Sequence, residues 1–329
     1  MADGANGRGG PRPAPPAPKT KIKIKKPLLF ILKFSVSAAF LYLVLRRTGV
    51  QNVVRLLTGI DPVLFIAAMA FYIAGTFVSA IRWRLFMESG LPLRRAFSLY
   101  LLGSLFNTFL PGLIGGDAVK GYYLYKETGR TAEAMASIFM DRYLGLAAML
   151  VTAWMAYPLV PPHLRAVPVR ISGVQPFHLG LWWLLPMLLL AFFAASLFFF
   201  KLRLGGRLRL MADFYGQFGL YGRKDVLNGM LLSFGVQAFS IISVWVLARG
   251  LGVTAAWPFF FIFVPLITLF SSIPVSLSGI GIREASFVLL FGAVGVSART
   301  ATALSFAWYL SYSAASLGGL YEYLRIKKA

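Results

Sequence analysis

The 329-residue sequence contains no cysteine, two histidines and only eleven acidic residues. Without cysteine there are no disulfides, iron–sulfur clusters or thiol nucleophiles, whatever the compartment. The two histidines, His163 and His178, share a Pro-rich stretch with no acidic residue among them, so no metal site is expected. Catalytic signatures are missing too. There is no Gly-x-x-x-x-Gly-Lys-Ser/Thr, no His-Glu-x-x-His and no Gly-x-Ser-x-Gly. An Asp-x-Asp pair, as a metal-dependent glycosyl transferase uses, is also absent. The expectation is a protein that is not an enzyme, holds no cofactor and hydrolyses no ATP. Charge is scarce as well: Asp, Glu, Lys and Arg make up 13% of the chain, against about 25% in soluble domains.

What the chain has in quantity is apolar sequence, 58% of residues, with a mean hydropathy of +0.72. Uncharged stretches at 62–81, 226–248 and 300–321 reach the ~20 residues needed to cross ~30 Å of hydrocarbon as helix. A β-barrel would show short alternating segments instead. The pattern defines an all-α polytopic integral membrane protein. A formal net charge of +22 invites a nucleic-acid reading, but the Lys and Arg lie mostly between hydrophobic runs, where membrane topology puts them. No nucleic-acid partner is expected. No cleavable signal peptide is visible. Residues 1–26 are Pro/Gly/Ala-rich and then basic, which predicts a disordered cytoplasmic tail; 324–329 form a second basic tail.

Spans are predicted at 27–45, 62–81, 134–157, 181–200, 226–248 and 300–321. Two further apolar regions are interrupted. The run 96–116 contains "LPG" and ends "GGD"; the runs 258–277 and 285–294 flank "PVSLSGIGIRE". Ten residues, 285–294, make only about 15 Å of helix, too short to cross. Both regions are therefore expected to be re-entrant hairpins, buried in protein or lining a cavity as such backbone must be. Six full spans plus two hairpins put both termini inside. Twenty-three Lys/Arg then fall in inside segments and seven outside, in accord with the positive-inside rule. Each half, 27–157 and 181–321, reads span, span, hairpin, span. Three crossings per half make this an inverted-topology repeat. "TFLPGLIGG" (108–116) aligns with "SSIPVSLSG" (271–279), pairing Pro111 with Pro274 and Gly116 with Gly279. Such interrupted segments at matching positions point to a transporter's binding site. Pro111, Gly115, Gly116, Pro274, Gly279 and Gly281 are the expected hairpin-forming residues, the glycines because they admit positive φ.

Charges inside a membrane cost at least ~2.5–3.5 kcal/mol each at mid-span, so each needs a reason. Two readings stand for Asp141 and Arg142. In one, Asp141 neutralises a hairpin cation and Arg142 snorkels. In the other, Arg142 contacts a headgroup and Asp141 orients it, since a guanidinium fork suits phosphate. Glu284 is placed to cap a helix, while Arg283 gains nothing from that helix end and is a ligand contact or a partner for Asp141 or Asp117. Asp117 can serve as an N-cap, Lys120 as an interfacial lysine, and Asn107 as a partner for the carbonyl that Pro111 frees. All seven are candidate substrate contacts.

Three blocks carry a family resemblance: "NTFLPGLIGGDAVKGYYLYKETGR", "ASIFMDRYLGL" and "SSIPVSLSGIGIREASFVLLFGAVGVSARTATALSF". In this order they resemble the lysylphosphatidylglycerol synthase transmembrane, or flippase-like, family over about 27–323. That family includes the membrane half of the bacterial multiple peptide resistance factor. There it is linked to moving aminoacylated phospholipid between leaflets, a separate soluble domain attaching the amino acid. Nothing of that kind follows "YEYLRIKKA" here, so a stand-alone membrane module is expected. The resemblance implies a lipid translocator of the cell (inner) membrane, its partners being lipids with anionic or phosphate-bearing headgroups. Relatives handle varied lipids, so the lipid stays open, as does homo-oligomerisation. Alternatives are a non-catalytic membrane scaffold or accessory protein and a membrane lipid or glycosyl transferase.

Overall fold

In a computed structural model the chain is described over residues 26–109, 115–160, 166–169, 177–202, 209–272 and 278–328. The expected tail at 1–25, the hairpin tips with Pro111 and Pro274, and His163 lie outside the described residues. Among the described residues three helices are both long and apolar enough to cross a membrane: α3 (Pro62–Arg84), α6 (Thr131–Ala156, extended by a 3-10 turn) and α9 (Arg223–Gly250). Around them stand α1 (Lys26–Thr48), α7 (Leu181–Leu202) and α12 (Ala298–Ser316). The protein is a polytopic, membrane-embedded bundle of helices.

The interrupted regions form two antiparallel helical hairpins. The first pairs α4 (Leu93–Phe109) with α5 (Gly115–Thr128); the second pairs α10 (Trp257–Ser272) with α11 (Ile282–Gly292). At 11 residues, α11 is about 16 Å long. Two amphipathic helices, α2 (Val50–Thr58) and α8 (Arg209–Phe218), lie between consecutive long helices, in stretches outside the predicted spans. The Pro-rich segment carries a two-stranded antiparallel ribbon, β1 (Ala166–Val169) with β2 (Phe177–Gly180).

One expected span is corrected. The stretch 300–321 is two helices, because the chain turns at Leu317 into α13 (Gly318–Lys328). Adjacent glycines are poor helix-interior residues. Gly319 also sits against the Leu101 carbonyl, where a β-carbon could not fit, so α13 lies flush on α4. The 19 residues of α12 still measure about 28 Å.

Small residues let the central helices approach closely, which is what drives helix association where lipid is as apolar as leucine. Along the α3–α9 contact, Ala68 is buried, a β-carbon on Gly75 would meet Phe239 at 3.3 Å, and Ser243 donates to the Ala68 carbonyl at 3.1 Å. A larger apolar core joins α10, α11 and α12 through Phe260, Phe263, Phe287 and Phe291.

The packing partners repeat between halves. Helix α3 packs on α4 and α12, and α9 packs on α10 and α6. Hairpin arm α4 meets α12, and α10 meets α6. The short helix α2 sits on α12, and α8 on α6. These contacts carry both hairpins into the centre of the bundle, beside the long helices that bear its buried charges.

Candidate functional site

The first hairpin closes through glycine. Gly116 lies against the Gly103 carbonyl, leaving no room for a β-carbon. Asn107 Oδ1 accepts from the Gly116 N–H at 2.9 Å, so the α4 arm satisfies one of the orphan donors at the start of α5. Pro111, whose freed carbonyl Asn107 is expected to meet, lies outside the described residues. With Asn107 capping the helix start, Asp117 does not cap. It stands in the first turn of α5 and its carboxylate turns to cations.

Asp117 holds Arg142 of α6 by a two-pronged fork, Nε to Oδ2 at 2.6 Å and Nη2 to Oδ1 at 2.9 Å. It also lies 3.1 Å from Lys120 Nζ. Asp141 is fully buried and belongs to a different pair. Arg82 of α3 donates Nε to its Oδ1 at 2.8 Å, and Tyr100 of α4 donates to Oδ2 at 3.0 Å. Lys120 lies 3.5 Å from the same oxygen. Arg82 Nη1 further donates to Ser233 of α9 at 2.9 Å. The structure thus corrects one reading: Asp117, not Asp141, orients Arg142, while Asp141 neutralises Arg82 and Lys120.

Lys120 is not interfacial. It is 1% exposed, its ammonium sits 4.0 Å from the Tyr100 ring centroid and 5.0 Å from that of Trp83, and it makes no aligned hydrogen bond. Ion pairing and the aromatic faces hold it instead. Arg142 differs from its neighbours: half of its side chain is exposed, and Nη1 donates to no described residue. Three cations, Arg82, Lys120 and Arg142, therefore share two carboxylates.

The second hairpin builds a smaller, closed group. Gly279 and Gly281 take φ +76° and +88°, the left-handed turn the sequence predicts. Glu284 accepts from the Gly281 N–H at 2.6 Å and from the neighbouring Arg283 Nη2 at 2.7 Å. It also accepts from Ser305 of α12 at 3.0 Å. Arg283 donates Nη1 to Tyr312 at 2.7 Å and lies 4.5 Å from the Tyr309 ring centroid. Both charged residues are buried. Arg283 pairs with neither Asp141 nor Asp117; its counterion is Glu284. The ring of Tyr72, on α3, stacks on Tyr312 at 5.7 Å, joining this group to the α3 side of the bundle.

Sequence reasoning missed Arg82, Tyr72, Tyr100, Ser233, Ser305, Tyr309 and Tyr312. Arg82 looks like an ordinary helix-end cation, and its partners lie 59 and 151 residues away. Ser305, Tyr309 and Tyr312 were findable, since the i, i+4, i+7 spacing puts all three on one helix face. Among the described residues no group of His, Cys, Asp and Glu is arranged to hold a metal ion.

Long apolar helices, two broken hairpins and charge pairs enclosed between them define a polytopic helical membrane protein with a polar interior. Residues 30–315 match the family described as the Lysylphosphatidylglycerol synthase TM region, and the chain belongs to that family. No curated protein matches it.

Proposed function

We propose that the protein is a lipid translocator of the cell (inner) membrane, not an enzyme, moving a phosphate-bearing headgroup between leaflets through the polar centre of the bundle. One observation carries this reading: the first hairpin's cluster holds one cation more than it has carboxylates, and the surplus sits on the half-exposed Arg142. An uncompensated charge in a low-dielectric interior is costly. One phosphate or anionic headgroup would balance it, binding the free edge of the guanidinium fork. Asp117 can then shift toward Lys120, already 3.1 Å away, so that with the ligand bound every cation of the cluster has an anionic partner. The lipid's chains stay in the bilayer and only the headgroup enters.

The wider frame is a single unit, 27–323, of two inverted halves, 27–157 and 181–321, with re-entrant hairpins dipping from opposite sides and both termini cytoplasmic. The repeating packing partners support it, as does the matched place of Gly116 and Gly279 in the two hairpins. Two experiments test the reading. In proteoliposomes, Arg142→Ala should abolish most headgroup translocation while the protein stays folded; movement at the parent rate sinks the proposal. Because the chain lacks cysteine, single cysteines at Lys126 and Val296 can be labelled with an impermeant thiol reagent. Labelling from opposite faces supports the inverted frame; labelling from one face removes it.

A further inference from the structure

A second basic site lies away from the charged centre, at the other end of the first hairpin. The start of α4, the end of α5 and the end of α13 enclose a groove of about 600 Å³. Its walls carry Arg94, Arg95, Lys126 and Arg325, with Glu127 the one acid. Glu127 is taken by Arg95, whose Nε donates to it at 2.7 Å. Arg94, Lys126 and Arg325 are exposed and ion-pair with no described residue. Cations from three separate elements thus converge on one recess with three charges uncompensated.

The apolar side chains beside them indicate what the groove receives. Tyr122 and Tyr125 on α5, and Leu320, Tyr321 and Leu324 on α13, are exposed on the same helices that line the recess. Tyr123 and Ile326 form its apolar wall. A soluble anion would use the cations and leave these faces bare; an amphiphile would use both. We propose that this groove is a docking site for one anionic phospholipid headgroup of the leaflet facing the chain termini, its acyl chains lying along α5 and α13. The phosphate is held by Arg94, Lys126 and Arg325, while Arg95 and Glu127 form the fixed rim that spaces α4 from α5. The site stands apart from Arg142, so its occupancy does not depend on translocation.

The full-length protein in mild detergent, titrated with phosphatidylglycerol or chain-matched phosphatidylcholine and read by native mass spectrometry, tests this directly. Phosphatidylglycerol should bind the tighter. The double variant Arg94→Gln/Arg325→Gln should weaken it about tenfold or more, since two surface cations contributing roughly fivefold each compound to that scale. Arg223→Gln/Lys224→Gln removes the same charge at the start of α9 and should weaken binding less than about twofold. Arg94→Lys/Arg325→Lys should retain it, separating loss of charge from loss of fold. Equal losses in the two Gln pairs would mean diffuse surface attraction and overturn the site. Displacement of the lipid by inorganic phosphate at comparable concentration would mean a soluble-anion site and overturn the lipid assignment.

Discussion

The two hairpins place a buried cation at equivalent positions and treat it in opposite ways. Aligning Gly116 with Gly279 sets Lys120 opposite Arg283. Each is buried, and each lies near two aromatic rings. On the second hairpin the cation has its own carboxylate next door, and Ser305, Tyr312 and the Gly281 N–H close the group. On the first, one carboxylate, Asp117, lies on the same arm and the other, Asp141, comes from α6, and both are shared, with Arg142 and Arg82 respectively. The closed group acts as a rivet. The shared one is a network with a surplus charge and an exposed edge, which is what a transient anionic ligand requires.

The largest expected effect separates them by stability. Asp141 serves two buried cations, so Asp141→Asn should cost about 3–5 kcal/mol, the usual penalty for stranding a buried charge. Glu284→Gln keeps an acceptor for the Gly281 N–H and strands only Arg283, so it should cost less than Asp141→Asn. Unfolding of both variants in detergent gives the order, and the reverse order would make the second hairpin the anchor of the fold.

A step down come the two tyrosines that touch these ions. Tyr312→Phe removes the oxygen that Arg283 Nη1 reaches, and Tyr100→Phe removes a donor to Asp141. Hydrogen bonds to charged groups contribute about 1.5–3 kcal/mol. Tyr312→Phe should fall within that range, because no other described residue accepts from Arg283 Nη1. Tyr100→Phe should fall below it, since Asp141 keeps Arg82 and Lys120 and the ring facing Lys120 survives. Equal losses would mean that the first cluster is as tightly specified as the second.

How much of this the sequence disclosed follows from range. The hairpins were legible because a proline, paired glycines and a ten-residue apolar run are local signals. Glu284 as a cap and the positive φ of Gly279 and Gly281 are also local, and the structure carries both. The ion pairs were not legible. Arg142 and Asp141 are adjacent in sequence yet point about 100° apart on a helix, so each finds a partner on a different element. Which carboxylate meets which cation depends on where α3, α5 and α6 cross. The break at Leu317 was hidden for a related reason: the 300–321 run is uncharged throughout, and only contact with the Leu101 carbonyl explains Gly319.

The smallest expected effect on stability is also the one that decides between rivet and binding site. Arg142→Gln removes the surplus charge, leaving Arg82 and Lys120 against Asp117 and Asp141. Asp117 keeps Lys120 as its partner, and the lost side chain is half exposed. Stability should therefore change by no more than about 0.5 kcal/mol, as for surface substitutions and exposed ion pairs. If translocation is lost at that small structural cost, Arg142 acts on the ligand. A loss of stability approaching that of Asp141→Asn would instead make Arg142 a strut between α5 and α6, and the surplus charge would no longer point to an anionic headgroup.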